Sequence, residues 1–581
     1  GVYPDEPVAL LVGGDVSGIQ QFLYSVSSHG AIRSLRGRSA YLSLVAEAAV
    51  RLVLRELALP PTQVVYNSGG HFYFLAPLSC CDALAGIARQ VTEALVRAHG
   101  GDLALAVDSV ELRGSDFDVR TGGLAARWKE LGGRLADRKA QRFREFLPTH
   151  HSRIVGPFDT GGQAQRCDVC HGEEAELEAD LRRDVPQEED GTRKCSLCSS
   201  FEELGTTLAR HPQWVSWVTR RRPPARALAW HTVLATLGFE VFFYSRESPP
   251  PEQGHTLRIH SASVDGEDLR VCGFRWLPAY TPLEADGSHA SRLSIADLHQ
   301  ISQRAEGAHY WACLRMDVDH LGLIFSQGLA GRYSLSRVAT LSRMLELFFE
   351  GYLPDLVAVS DDKEPGLYLV YAGGDDLLLV GRWDKVVDTA GKIREAFTSF
   401  AARNPSLTLS AGVTLHRAKF PLYQAADEAG DALDGAKGFH HPDGHTKDAL
   451  ALLGTLVSWE DFAWVRGWKE TLYRLLKSGD PDMKLSRSFL QKLKSLGDLA
   501  ANTANTPPTK AHTIGDIARV VGLHKARWRL LYTLTREPQG ALGTLQALQA
   551  ELLQNPGRML LLPLLARWLE LLTREERQRE A

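Results

Sequence analysis

Asp375 and Asp376 stand side by side after Gly373 and Gly374, between the aliphatic runs "GLYLVYA" and "LLLVG". Upstream, Asp317 and Asp319 close another aliphatic run, "YWACLRMDVD". Carboxylates are hard oxygen donors. Asp317, Asp375 and Asp376 gathered at one end of a sheet suit Mg²⁺ or Mn²⁺, which complete their coordination with phosphate and water. Two such ions can activate an attacking hydroxyl and stabilise the pyrophosphate that leaves an in-line displacement. The paired glycines let a phosphate chain approach the backbone. A turn merely decorated with acids accounts for Asp375 and Asp376 but not for aspartates at a matching strand end. Neighbours along a strand point to opposite faces, so the sequence leaves open which aspartate coordinates better.

Four of the eight cysteines form a second constellation: Cys167 and Cys170, then Cys195 and Cys198, two CxxC pairs with 24 residues between them. Two residues between thiols suits chelation of one tetrahedral ion, which predicts a structural zinc site in a reducing compartment. A redox CxxC would need a thioredoxin-like βαβ setting, and the charged excursion "EEAELEADLRRDVPQEEDGTRK" stands there instead. Cys80, Cys81, Cys272 and Cys313 sit in apolar surroundings and read as core.

The elements that must position the aspartates occur twice. Residues 7–110 read strand, helix, strand, strand, helix, strand, and residues 308–417 read the same way, each a βαββαβ unit of ferredoxin-like type. The copies match at fixed points. Asp15 lies 56 positions before His71, the residue after Gly69-Gly70, and Asp317 lies 58 positions before Asp375. That is a duplicated domain, not a short repeat. On this alignment His71-Phe72 replace Asp375-Asp376, and Ser17 replaces Asp319. The first copy is therefore expected to be chemically silent, its Asp15 either binding a nucleotide between the palms or capping the start of a helix.

A chain of 581 residues is too long for one core and implies about three to five domains. A formal net charge of −4 gives no global footprint of nucleic-acid binding, so any such partner must be met locally. No stretch reaches the roughly 18 consecutive apolar residues of a membrane span, and the N-terminus lacks the layout of a signal peptide, so the chain is expected to be cytoplasmic with no membrane partner.

"YAGGDDLLLVG" with "LRMDVDHLG" upstream resembles the GGDEF nucleotidyl cyclase and palm-polymerase group. With "GGDVSGIQQFLYSVSSHGAIRSLRGRSAYL", the CxxC pairs, "LTLSAGVTL" and "FPLYQAADEAGDALDGAKG" added, the chain is similar over nearly its whole length to the large subunit of type III CRISPR effector complexes, most like the III-A form. The resemblance implies an α+β protein of four parts. These are a degenerate first palm (1–115), a helical zinc-binding linker domain (116–215), a second palm carrying GGDD (216–455, core 308–440) and a C-terminal helical domain (456–581).

It further implies that the second palm polymerises ATP into cyclic oligoadenylate second messengers once guide RNA in the complex pairs with target RNA. Asp317, Asp375 and Asp376 would hold two Mg²⁺ or Mn²⁺, Gly373 and Gly374 would admit the triphosphate, Ser410 and Gly412 would line the adenine pocket, and Lys437 would reach a phosphate. Asp15, Ser17 and Gly18 would help hold the second ATP, and the four cysteines would be zinc ligands. Other effector subunits, guide RNA and target RNA are the implied partners, the helical tail meeting the duplex by shape and backbone. Arg33, Arg36 and Arg38 could face RNA, nucleotide or a neighbouring subunit, or be solvated caps. The family usually begins with an HD nuclease domain, and no His-Asp dipeptide occurs in this sequence, so DNA cleavage is not expected of it. A catalytically silent scaffold gains nothing from clustered carboxylates, and a GTP-using cyclase would pair single palms between chains.

Overall fold

The structure is a computed structural model that describes residues 5–24, 31–156, 165–178, 181–188, 191–219, 227–251, 255–259, 271–276, 283–286, 289–295, 298–329, 332–361, 366–504, 528–529, 531–532 and 536–574. It is a mixed α+β protein of several sheets, and no helix among the described residues is long and apolar enough to cross a membrane.

The first repeat comprises β1 (Pro7–Ser17), α1 (Ala31–Glu56), β2 (Val64–Ser68), β3 (His71–Ala76), α2 (Cys81–His99) and β4 (Ala104–Arg113). Its sheet runs β2-β3-β1-β4 with antiparallel neighbours. β1 is buried continuously from Leu10 to Val16, because both faces of the sheet are covered, and such strands read as unbroken apolar runs. On one face Leu11, Val110 and Leu112 meet Leu124, Leu131 and Leu135 of the helix Gly123–Ala140. Leu84, Ile87, Val91 and Leu95 form the buried stripe of α2.

The second repeat comprises β5 (Tyr310–Val318), α3 (Leu335–Glu346), β6 (Leu367–Gly373), β7 (Asp376–Arg382), α4 (Trp383–Phe400) and β8 (Leu409–Arg417). After α5 (Leu422–Lys437), β9 (Ala449–Leu452) and β10 (Thr455–Ser458) extend its sheet to β6-β7-β5-β8-β9-β10. The first four strands repeat the order of the first sheet. The tail, read from sequence as mostly helical from about 455, thus begins with a strand. Leu453 (φ +52°) and Gly454 (φ +78°) make a two-residue turn with both central residues left-handed, and it folds β10 back on β9. The strands 214–219, 239–244, 255–259 and 271–275 form their own sheet, in the order 271–275, 255–259, 214–219, 239–244.

The chain divides into two compact units, one of residues 1–298, 315–380 and 419–427, the other of 299–314, 381–418 and 428–581. In the first unit the cysteine segment docks on α1 through the helix Ser196–Ala209. Arg36 donates to Leu208 O at 2.8 Å, and Arg38 donates to Phe22 O at 2.7 Å while its guanidinium lies 5.0 Å above the Phe22 ring. Both arginines are buried, so they bind protein and do not face RNA; the side chain of Arg33 lies outside the described residues. In the second unit Trp464 and Trp468 both donate to Glu551 Oε2, and the rings of Phe462 and Trp568 stack at 5.8 Å. Cys80 and Cys313 are core, as read from sequence, whereas Cys81 and Cys272 are exposed. Cys81 opens α2 beside exposed Asp82, and Cys272 takes an outward position on its strand.

Gly37 sets how closely α1 meets the cysteine segment, for a Cβ there would lie 1.8 Å from Phe201 O. Alanine normally favours a helix interior over glycine by about 1 kcal/mol. Here forcing the helices apart outweighs that gain, and Gly37→Ala is expected to lose about 2 kcal/mol net. Thermal melting checks this, and an unchanged or raised melting temperature would refute the tight contact.

Candidate active site

The turns that follow β2 and β6 put the two repeats in register. Val16 N–H donates to Gly70 O at 2.9 Å, and Val318 N–H donates to Asp375 O at 3.0 Å. Gly70 therefore corresponds to Asp375, and His71 to Asp376. This corrects the sequence alignment, which set His71-Phe72 against Asp375-Asp376, by one residue. The reason is turn type. Gly69 (φ +61°) and Gly70 (φ +81°) are both left-handed, as in a type I′ hairpin, whereas Gly374 (φ +68°) alone is left-handed in the second turn, as in type II′. The second central position of the latter tolerates an aspartate, and Gly373 becomes the last residue of its strand.

The correspondence changes what faces the strand-end aspartate. In the first repeat His71 pairs across the sheet with Asp15, its Nδ1 3.0 Å from Oδ2, and Lys139 Nζ from the helix 123–140 binds the same oxygen. Burial acts to raise the Asp15 carboxyl, but the hydrogen bonds and charges of His71 and Lys139 outweigh it and hold the group below its usual range. In the second repeat Asp376 takes the place of His71 opposite Asp317. Burial, then the charges of Asp375 and Asp317, push the Asp376 carboxyl up to about 7, against the opposing influence of Arg315 and the Tyr371 hydroxyl. Asp317, Asp375 and Asp376 are all half-buried, and Asp319 is fully buried at the end of the same strand. Half-buried carboxylates of which two raise the proton affinity of the third are a donor set that fits a divalent cation. The four cysteine sulfurs form a separate donor set, all within 4.8 Å of one another.

The glycines also answer to each other. A Cβ on Gly69 would come within 3.2 Å of Gly374 N and Cα, so the turns of the two repeats abut backbone to backbone. The other candidates are placed as follows. Ser17 Oγ donates to Ala104 O at 3.3 Å, and Gly18 (φ +91°) is pressed so close to the Asp102 carbonyl that a Cβ would lie 1.8 Å from it. Asp15 lies within β1 and caps no helix. In the second unit Ser410 is buried in β8, Gly412 lets α5 lie against that strand with a would-be Cβ 2.4 Å from Leu433 N, and Lys437 is the last residue of α5. Sequence reasoning missed Lys139, because nothing marks a lysine 124 positions from Asp15 as its partner.

Cys167, Cys170, Cys195 and Cys198 form the tight cluster, and they could hold a metal ion. Cys195 N–H donates to Cys167 Sγ at 3.2 Å, Cys198 N–H to Cys195 Sγ at 3.5 Å, and Arg38 Nη2 to Cys198 Sγ at 3.6 Å. Hydrogen bonding from Cys170, Cys195 and Cys198 pulls the Cys167 thiol far below its ordinary range, while contact with Cys167 pushes Cys195 and Cys198 above theirs. Backbone amides and a buried guanidinium directed at sulfur are the surroundings thiolate ligands need.

Two family models match the chain, one described as Csm1 subunit domain B over residues 8–159 and one as the second palm domain of Cas10/Cmr2 over residues 310–451. The chain is 28% identical over 499 residues to the subtype III-A single-strand-specific deoxyribonuclease Cas10/Csm1 of Methanocaldococcus jannaschii, an alignment covering 78% of this chain and 61% of that protein. It is 30% identical over 450 residues to the protein of the same name from Thermococcus onnurineus, covering 74% of this chain and 53% of that one. A crystal structure of an apo Csm1-Csm4 cassette superposes with a TM-score of 0.70 at 22% identity, covering 99% of this chain and 71% of that chain, and one of the cassette in complex with cA4 gives 0.67 at 21%, covering 98% and 70%. These matches define a palm-domain protein of CRISPR systems. Over most of its length the chain is similar to Cas10/Csm1 proteins of subtype III-A, and it spans about three fifths of the length of these curated relatives.

Two outcomes are expected. Metal analysis of the purified protein should return about one zinc per chain, and Cys167→Ser should lower both zinc content and melting temperature; a folded, zinc-free protein would refute the site. Without divalent cations, the folded chain keeps a proton on Asp376 between about pH 4 and about pH 7 that the unfolded chain has released, so this group's contribution to stability is full below pH 4 and lost as pH rises through about 7. The melting temperature of Asp376→Asn relative to wild type should therefore climb across that window and level off above it.

Proposed function

We propose that the second repeat is a nucleotidyltransferase that polymerises ATP into cyclic oligoadenylates, and that both repeats are ferredoxin-like palms. The observation that carries this reading is the contrast at one cross-strand position: two carboxylates, Asp317 and Asp376, where the first palm has an internally neutralised Asp15–His71–Lys139 set. Solved relatives of the same fold include cassettes in complex with cA4, with cA3 and with one ATP, which supports adenine nucleotides as the substrate class.

In this reading Asp317, Asp375 and Asp376 hold two Mg²⁺ or Mn²⁺, which when bound supply an acidified hydroxyl nucleophile and charge neutralisation at the leaving pyrophosphate. The chain's own part is positional. Gly373 and Gly374 present backbone without side chains to the triphosphate, Ser410 and Gly412 are adenine-facing, and Lys437 is a phosphate ligand. The first palm, with Asp15, Ser17 and Gly18, receives the second ATP without metals of its own. The cysteine cluster holds structural zinc. The protein acts in the cytoplasm within an RNA-guided complex, beside other effector subunits, and target RNA pairing with the guide starts synthesis. The family resemblance and the Csm1-Csm4 assemblies of the solved relatives support those partners. The domain boundaries carry over from the sequence, with the strands 214–219, 239–244, 255–259 and 271–275 as a separate sheet between the repeats in chain order.

The test is incubation with labelled ATP or GTP and Mg²⁺ or Mn²⁺, for the chain alone and for its complex with target RNA. Cyclic adenylate products should appear with ATP and fall by at least about a hundredfold in Asp375→Ala/Asp376→Ala. Turnover that survives the double substitution, or products only from GTP, would overturn the assignment. No turnover in the complex would leave a scaffold role.

A further inference from the structure

Ser68 ends β2 of the first palm, yet its hydroxyl is bonded on both sides to the second repeat. Gly374 N–H donates to Ser68 Oγ at 3.2 Å, and the Ser68 hydroxyl donates to Glu350 Oε1. Glu350 is 3% exposed and Ser68 2%. Glu350 belongs to a π-helical turn, Leu347–Tyr352, set between α3 and the helix Leu353–Ser360. Such one-turn widenings interrupt a regular helix at a cost and are found mostly where a side chain must be placed. The carboxyl lies beneath the turn that carries the aspartates, for a Cβ on Gly373 would sit 3.6 Å from Glu350 Oε1. Asn67, the neighbour of Ser68, is tied in turn to Glu47 at 2.7 Å, and Glu47 to Arg275 at 3.1 Å.

We propose that Ser68 and Glu350 form a hydrogen-bonded relay that fixes the Gly373-Gly374 turn, and with it Asp375 and Asp376, against the first palm, which makes Glu350 a positioning residue for nucleotidyl transfer. The proposal rests on the function assigned above. A glutamate buried only to fill space would be matched by leucine; what the relay uses is the acceptor oxygen. Burial, with Glu346 adding to it and Arg275 opposing it, holds the Glu350 carboxyl up to about 8, so at neutral pH the relay ends on a largely neutral group and carries little buried charge. Glutamine supplies the same acceptor in the same shape.

Four variants of the full chain in its complex, Ser68→Ala, Glu350→Gln, Glu350→Leu and Asp375→Ala/Asp376→Ala, separate the possibilities. Two readouts are taken: steady-state kinetics of adenylate formation, and hydrogen–deuterium exchange of peptides covering residues 367–380. Ser68→Ala and Glu350→Leu should lower kcat about tenfold with KM for ATP changed by less than about threefold, and both should speed exchange at the turn. Glu350→Gln should stay within about threefold of wild type in both readouts. Glu350→Leu with wild-type kinetics and exchange would overturn the relay, as would Glu350→Gln as impaired as the leucine variant. Faster exchange in Ser68→Ala and Glu350→Leu, in a wild type that makes no adenylate product, would uphold the relay and overturn nucleotidyl transfer.

Discussion

Like charges brought together on neighbouring strands must be neutralised, and this requirement organises the molecule. Two unit charges about 4 Å apart interact by about 4 kcal/mol at an effective dielectric near 20, enough to protonate one of them or to demand a cation. The duplicated fold meets that demand in two ways. In the first repeat the sheet sets His71 opposite Asp15, and the helix over the sheet lowers Lys139 onto the same carboxylate, so its partners are built into the chain. In the second repeat the same cross-strand position holds Asp376, whose carboxyl is raised by burial and then by the charges of Asp375 and Asp317. In one repeat the strand-end aspartate is met by the chain's own side chains, and in the other it is met by further carboxylates.

That difference depends on the two turns staying where they are. Gly69 and Gly374 meet backbone to backbone, a Cβ on Gly69 coming within 3.2 Å of Gly374, and Ser68 ties the contact with hydrogen bonds to both sides. Farther out, Arg38 joins α1 to the cysteine cluster. The same guanidinium lies over Phe22 and within 3.6 Å of Cys198 Sγ, so one side chain of the main helix of the first repeat touches both the aromatic core and a sulfur of the cluster. The cysteine segment is thus a brace for that helix as much as a site for an ion.

Much of this was legible in the residues. The two runs of strand and helix signals, the CxxC pairs at chelating spacing and the acids at strand ends are local patterns, and local patterns survive in one dimension. The alignment of the turns was not legible to the residue, because "SGG" and "AGGDD" can be matched by their glycines, whereas the structure matches them by which residue accepts a strand hydrogen bond. The arginines of α1 looked like a surface feature because arginine usually is one. Arg36 and Arg38 are buried because carbonyl, sulfur and aromatic partners about 160 to 170 positions away happen to converge on them.

The sequence by itself determined the duplication, the order of elements, the cysteine cluster and the family, since each is written in spacing or in the identity of neighbouring residues. Only the tertiary structure decided which residue faces which aspartate, that Lys139 and His71 close the first palm, that the glycine turns abut, and that Glu350 reaches Ser68. Each of those depends on side chains far apart in the chain meeting at hydrogen-bond distance, and neither periodicity nor composition carries that information.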